Sequence, residues 1–104
     1  MSIDRFLLIV VIFIFFSCKK IEKASLPVAR FYVEIDSCVN GKCYVHFFDN
    51  SDNSVKWKWD FDNGLFAEIK NSESIFNQNE NYDIVLIVEN VDGEMAKKIK
   101  NISF

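Results

Sequence analysis

Past Pro27 the apolar and polar positions alternate with a period of two. "VARFYVEI" sets Ala29, Phe31, Val33 and Ile35 on one face and Arg30, Tyr32 and Glu34 on the other. "CYVHFF" sets Val45 and Phe47 against Tyr44, His46 and Phe48. "VKWKWDF" groups Val55, Trp57, Trp59 and Phe61, with Lys56, Lys58 and Asp60 opposite. "YDIVLIVEN" groups Tyr82, Ile84, Leu86 and Val88. Strict alternation is the mark of half-buried strands. Turn signals separate these runs: Asn40-Gly41, "DNSDNS" over 49–54, Asn63-Gly64, "NQNEN" over 77–81 and Asp92-Gly93. No stretch past Pro27 carries a helical period. Short strands at this spacing predict an all-β, antiparallel, immunoglobulin-like sandwich over residues 28–104.

The pattern before Pro27 is different. Arg5 leads into an unbroken apolar run, Phe6 to Phe16, which ends on "SCKK". A membrane-spanning helix needs roughly 20 apolar residues, so the run is too short to span and suits a signal peptide. Ser17-Cys18 resembles a bacterial lipobox, and the Phe-Ser-Cys end is similar to those common in lipoproteins of the Bacteroidetes. Phe15 and Phe16 are bulkier than the usual lipobox residues. The resemblance implies a lipoprotein signal peptide over 1–17 and lipidation of Cys18, with several acyl chains (palmitate among them) giving stable membrane attachment. The alternative is an uncleaved short anchor. A linker over 18–27 then joins the lipid to the sandwich; fully extended it spans about 30 Å, which keeps the domain near the membrane. The expected location is the cell envelope, anchored to the outer membrane. "CKKIEK" offers one acid, Glu22, after the lysines, which favours the periplasmic face over the cell surface.

Length and charge narrow the picture further. The chain has 104 residues, 12 Lys and Arg against 15 Asp and Glu, and a net charge of -3. That is enough for one small domain. No basic stripe accompanies the negative balance, so a nucleic-acid partner is not expected.

"WKWDFDNG", Trp57 to Gly64, is the most distinctive stretch. Residues two apart share a face, so Trp57, Trp59 and Phe61 point together into the expected core. Asp60 points outward, and Asp62, Asn63 and Gly64 supply turn chemistry, with Gly64 free to take positive φ. Trp57, Trp59, Asp60, Phe61 and Gly64 match the signature of the PKD (polycystic kidney disease) domain. Phe76 stands where that family's second aromatic belongs. Tyr82, Ile84, Leu86, Val88 and Asn90 match its last motif, and "PVARF" and "VHFFDNS" resemble its first strands. Asp62-Asn63, Ser72, Ser74 and Glu80 depart from the pattern, all in turns and loops. An immunoglobulin domain proper would carry an inter-sheet cysteine pair, and Ile84 stands where the second of those would fall. The resemblance implies a non-catalytic module of the kind used for adhesion or for binding proteins and polysaccharides. As the chain stops at Phe104, no following enzyme domain is expected. A structural subunit or spacer of an outer-membrane complex, with no separable ligand, is the alternative.

Cys38 and Cys43 flank "VNGK", and nearby cysteines bridge in an oxidising compartment. A two-residue Asn-Gly turn sets the two opposite each other. The same register places Ile35 and Val33 opposite outward-facing residues. A three-residue loop repairs the core and separates the cysteines. A bulge near Asp36-Ser37 satisfies both demands, and a bridge with such a bulge is the expectation.

Candidate chemistry is sparse. His46, the only histidine, falls on an outward strand position with no serine or cysteine placed to be activated by it, so no enzyme is expected. No Cys/His cluster has zinc spacing. Asp49, Asp52, Asp60 and Asp62 are weak calcium candidates; turn capping is their ordinary role, and no cofactor is expected. The alternation leaves Tyr32, Tyr44, His46 and Phe48 together on the outer face of one sheet. Aromatic side chains with polar tips suit a protein or polysaccharide partner. The other sheet's outer face, with Lys56, Lys58, Val85 and Ile87, is the weaker case. The chain's own linker or a neighbour at the sheet edge is the competing occupant of the aromatic face.

Overall fold

The computed structural model describes residues 22–104. The apolar run, Cys18 and the start of the linker lie outside them. Among the described residues no helix is long and apolar enough to cross a membrane. Those residues form β1 (Phe31–Val39), β2 (Lys42–Asp49), β3 (Lys56–Asp60), β4 (Phe66–Ala67), β5 (Ser72–Asn77), β6 (Asn81–Glu89) and β7 (Met95–Ser103). They make two sheets, β1-β2-β5 and β4-β3-β6-β7, with every neighbouring pair antiparallel. The chain changes sheet after β2, β4 and β5, which gives an immunoglobulin-like sandwich.

The inward sets close on one another as period two requires. Val45 and Phe47 come from β2, Trp59 from β3, Phe76 from β5, and Ile84, Leu86 and Val88 from β6; all are fully buried. Trp59 is the centre. Phe31 meets it edge-on at 5.1 Å, Phe61 stacks on it at 6.0 Å, and its indole N–H donates to the Ile69 carbonyl at 3.0 Å. A buried indole needs such an acceptor. Phe76 links Phe47 (5.7 Å) to Tyr82 (4.8 Å), which carries the aromatic core to the opposite end.

The β1–β2 hairpin resolves the register conflict with a bulge. Asn40 and Gly41 both take positive φ, 54° and 77°, as a two-residue turn of the right twist demands. Cys38 faces Cys43 and is disulfide-bonded to it. The register then shifts between Ile35 and Ser37, and Asp36 is the extra residue. Below the bulge Ile35 faces Val45 and Val33 faces Phe47, so the apolar parity of the two strands matches.

Ser72 and Ser74, expected in a loop, lie in β5 with Ser74 buried, and three side chains lie less deep than expected. Ile35 and Val55, expected in the core, are 54% and 48% exposed. Ile35 lies on an edge strand whose burial ends with Val33, and Val55 precedes β3 at the end of the sandwich. Trp57 shares the inward parity of Trp59, facing buried Val88, yet it sits one pair nearer the sandwich end and is only half-buried. Lys70 Nζ stands 5.9 Å from its ring centre, and its indole N–H is enclosed with no acceptor.

β7 closes the far edge in a different way. Ala96, Lys98, Lys100 and Ile102 pair with the buried residues of β6 and so occupy inward positions. Lys100 reaches across the open side of the sandwich, 4.7 Å from the Phe31 ring centre, and its ammonium donates to the Phe31 carbonyl. An inward-pointing charge on an edge strand obstructs further strand pairing.

Candidate functional site

The outer face of the β1-β2-β5 sheet is the candidate site. Tyr32 pairs with Phe48, Glu34 with His46, Tyr44 with Ile75, and His46 with Glu73. These pairs place all seven side chains on one solvent face. Tyr32 and Phe48 stack with ring centres 5.0 Å apart and planes 17° from parallel. His46 continues the stack at 6.2 Å from Phe48. The result is an aromatic row in which Tyr32 and Phe48 meet across the strands and Phe48 and His46 follow two apart along β2. Tyr32 is 49% exposed and Tyr44 44%.

Carboxylates surround the histidine. Glu73 Oε2 lies 3.5 Å from His46 Nδ1, and Asp36 Oδ2 lies 4.0 Å from Nε2. Glu34 faces His46 from β1, and Asp36 lies two residues further along the same strand, at the bulge. The His46–Glu73 ridge separates two shallow hollows. The larger, about 430 Å³, is walled by Tyr44, Ile75 and Leu65, with Asp36 and Glu73 at its rim. The smaller lies between Phe48, Ile69 and Asn71. Tyr32, Tyr44, His46 and Phe48 are thus together, as the alternation predicts. Glu34 shares the outward face of Tyr32, as the alternation predicts, and Asp36 follows it two residues on; Glu73 and Ile75 were not anticipated and join the face through the placement of β5 beside β2.

The linker does not cover this face among the described residues. Residues 23–27 run instead along the β6–β7 end. The Ala24 N–H donates to Asp92 Oδ2 at 2.8 Å, Lys23 pairs with Glu94 at 3.3 Å, Asn53 donates to the Leu26 carbonyl, and Pro27 is buried. Asn90 fixes this arrangement. Its Oδ1 accepts from the N–H groups of Asp92 (3.0 Å) and Glu94 (2.9 Å), and its Nδ2 donates to the Ser25 carbonyl and to Glu94 Oε1, both at 3.1 Å.

The remaining signature residues are similarly occupied. Asp60 Oδ1 accepts from the Asp62 N–H, and Asp62 Oδ2 accepts from the Asp83 N–H on β6. Asn63 donates to Ser74 Oγ and the Ile75 carbonyl on β5. Asp62 at φ 59° and Gly64 at φ 86° make the tight loop that permits this. "WDFDNG" is therefore a clasp joining both sheets. Asp49 caps the Ser51 N–H, and Asp52 pairs with Arg30. The four calcium candidates do not converge, and among the described residues no group of three His, Cys, Asp or Glu is placed to hold a metal ion. Tyr82 accepts from the Asn77 N–H at 3.0 Å, tying β6 back to the preceding corner as a tyrosine corner does.

The opposite sheet carries a second groove, about 470 Å³, between Trp57, Ile69, Ile87 and Met95. Lys56 there is paired with Glu89 at 3.7 Å.

Comparison with solved structures places the architecture. The chain is similar to the PKD1 domain of Vibrio anguillarum Epp, with a TM-score of 0.64 and 21% identity, covering 77% of this chain and 94% of that one. It is also similar to the PKD1 domain from the Vibrio cholerae metalloprotease PrtV, with a TM-score of 0.63 and 24% identity, covering 75% and 95%. No family model matches the chain, and no curated protein matches it. The likeness is one of fold: an antiparallel, PKD-like β-sandwich.

Proposed function

We propose that the chain is a non-catalytic envelope module, lipid-anchored through Cys18, that binds a protein or polysaccharide partner on the outer face of the β1-β2-β5 sheet. The observation that carries the reading is the solvent-facing row of Tyr32, Phe48, His46 and Tyr44, left uncovered by the docked linker residues. Large side chains of this kind lose little conformational freedom on binding and bury much area, so they dominate interfaces and sugar platforms. The Cys38–Cys43 bridge supports an oxidising compartment, in keeping with an envelope location. Lipidation of Cys18 accounts for the apolar run that precedes it; the anchor and the periplasmic face of the outer membrane are parts of the same proposal.

Site-specific photo-crosslinking in the envelope tests the binding surface. A photoreactive residue at Tyr44 is expected to give a discrete crosslinked product, and one at Lys97 on the opposite sheet is not. Equal products from both positions, or none from Tyr44, would refute the surface. Cys18→Ala is expected to release the protein from the membrane fraction or leave the precursor uncleaved; an unmodified Cys18 in membrane-bound mature protein would refute the anchor.

A further inference from the structure

We infer that the hollow between Tyr44 and Glu73 is a seat for a cationic side chain, so that the partner presents an arginine- or lysine-bearing segment of a protein. The inference rests on the proposed binding role of this face and gives it a ligand chemistry.

Three features converge on the hollow. Its walls, Tyr44, Ile75 and Leu65, are an aromatic ring and two aliphatic side chains, which suit the stem of a long basic residue. Its rim holds Asp36 and Glu73, whose side chains are 67% and 75% exposed. Glu34 adds a third carboxylate on the same face. The imidazole of His46 lies between Asp36 and Glu73, and Lys42, two residues before Tyr44 on β2, donates to Asn77 Oδ1. A guanidinium entering over the rim meets two carboxylates and the Tyr44 ring, with Phe48 and Tyr32 continuing as an aromatic surface beyond the ridge. Arginine fits this combination better than lysine, since its planar fork bonds carboxylates and stacks on rings together. Asp36 and Glu73 at the rim disfavour an acidic or sulfated glycan in the hollow, and a neutral sugar leaves the carboxylates without complementary charge.

Asp36, two residues after Glu34, shares its outward face, and the bulge between Ile35 and Ser37 lies at this end of the site.

The test measures binding of the full chain to a fluorescent arginine-rich peptide, to its citrulline counterpart, which keeps the shape and drops the charge, and to a glucosamine oligomer. The arginine peptide is expected to bind about tenfold more tightly than the citrulline peptide, with the difference shrinking as salt rises. Asp36→Asn/Glu73→Gln is expected to weaken arginine-peptide binding about tenfold, against less than about twofold for Glu22→Gln/Glu68→Gln, which changes net charge equally away from the face. Thermal unfolding of both variants checks that the fold is kept. Equal weakening by the two variants, or equal binding of the two peptides, would overturn the inference. Preferential binding of the glucosamine oligomer through the same two carboxylates would overturn the assignment to a protein segment. If no probe binds while the Tyr44 crosslink persists, the cationic seat falls and the binding face stands. If the Tyr44 crosslink is absent as well, both fall.

Discussion

Replacing Asn90 with alanine is expected to destabilise the domain by about 3 kcal/mol, out of proportion to the small size of the change. Asn90 is 4% exposed and makes four side-chain hydrogen bonds. A hydrogen bond contributes roughly 1 kcal/mol net, and a donor left buried without a partner costs more. Water recovers part of the loss, because the turn that holds Asp92 and Gly93 is exposed. Asn90→Asp separates the terms. It keeps both acceptor bonds to the turn, loses both donations, and brings a carboxylate to within reach of Glu94 Oε1, now 3.1 Å from Nδ2. Its expected cost is about 2 kcal/mol, and adding Glu94→Gln should recover about 1 kcal/mol by removing the repulsion. Urea unfolding, with the slope checked for constancy, gives the three differences. Hydrogen exchange at the Ala24 N–H reads the loss of the lead-in, since that segment is held through Asp92 and through the Ser25 carbonyl. An Asn90→Ala variant within about 0.5 kcal/mol of wild type would refute the view that this residue organises the end of the sandwich.

Two further predictions follow from the core and the hairpin. Trp59→Ala removes the ring that Phe31, Phe47 and Phe61 pack against and is expected to cost about 3–5 kcal/mol, against clearly less for half-buried Trp57→Ala; chemical denaturation of the two variants compares them. Reduction of the Cys38–Cys43 bridge is expected to cost about 2 kcal/mol in the chain-entropy model, and alkylation of the unreduced, denatured protein should label neither cysteine.

Much of the sandwich is legible in the chain because period two names a face. It correctly assigned Val45, Phe47, Trp59, Ile84, Leu86 and Val88. It does not name where a sheet stops, which is why Ile35, Val55 and Trp57 were expected deeper than they lie. The bulge was readable since two requirements, the cysteine pair and the core set, conflicted by one residue. β5 and β7 carry weak patterns for physical reasons. Ser74 fills an inward position in β5, and Lys98 and Lys100 fill inward positions in the edge strand β7. The aromatic half of the candidate face was visible along β1 and β2. Of its acidic half, Glu34 lies on the same alternation, but Glu73 was not visible, because it joins only when β5 pairs with β2, a contact between residues far apart in the chain. Asp60, Asp62 and Asn63 illustrate the converse: residue types that suit a cation are here spent on backbone N–H groups and on a clasp between sheets.

On the proposed reading the aromatic row is a recognition surface and not part of what holds the domain together. The direct measurement pairs thermal unfolding with Tyr44-face crosslinking in Tyr44→Ala/Phe48→Ala, the photoreactive residue being moved to Ile75. The side chains removed are exposed or half-buried, and the Tyr32–Phe48 stack is worth about 0.5–1.5 kcal/mol, so the melting temperature should fall by only a few degrees. Crosslinked product is expected to disappear from this near-native domain. A variant that melts as early as Trp59→Ala, or one that keeps its crosslinked product, would contradict it.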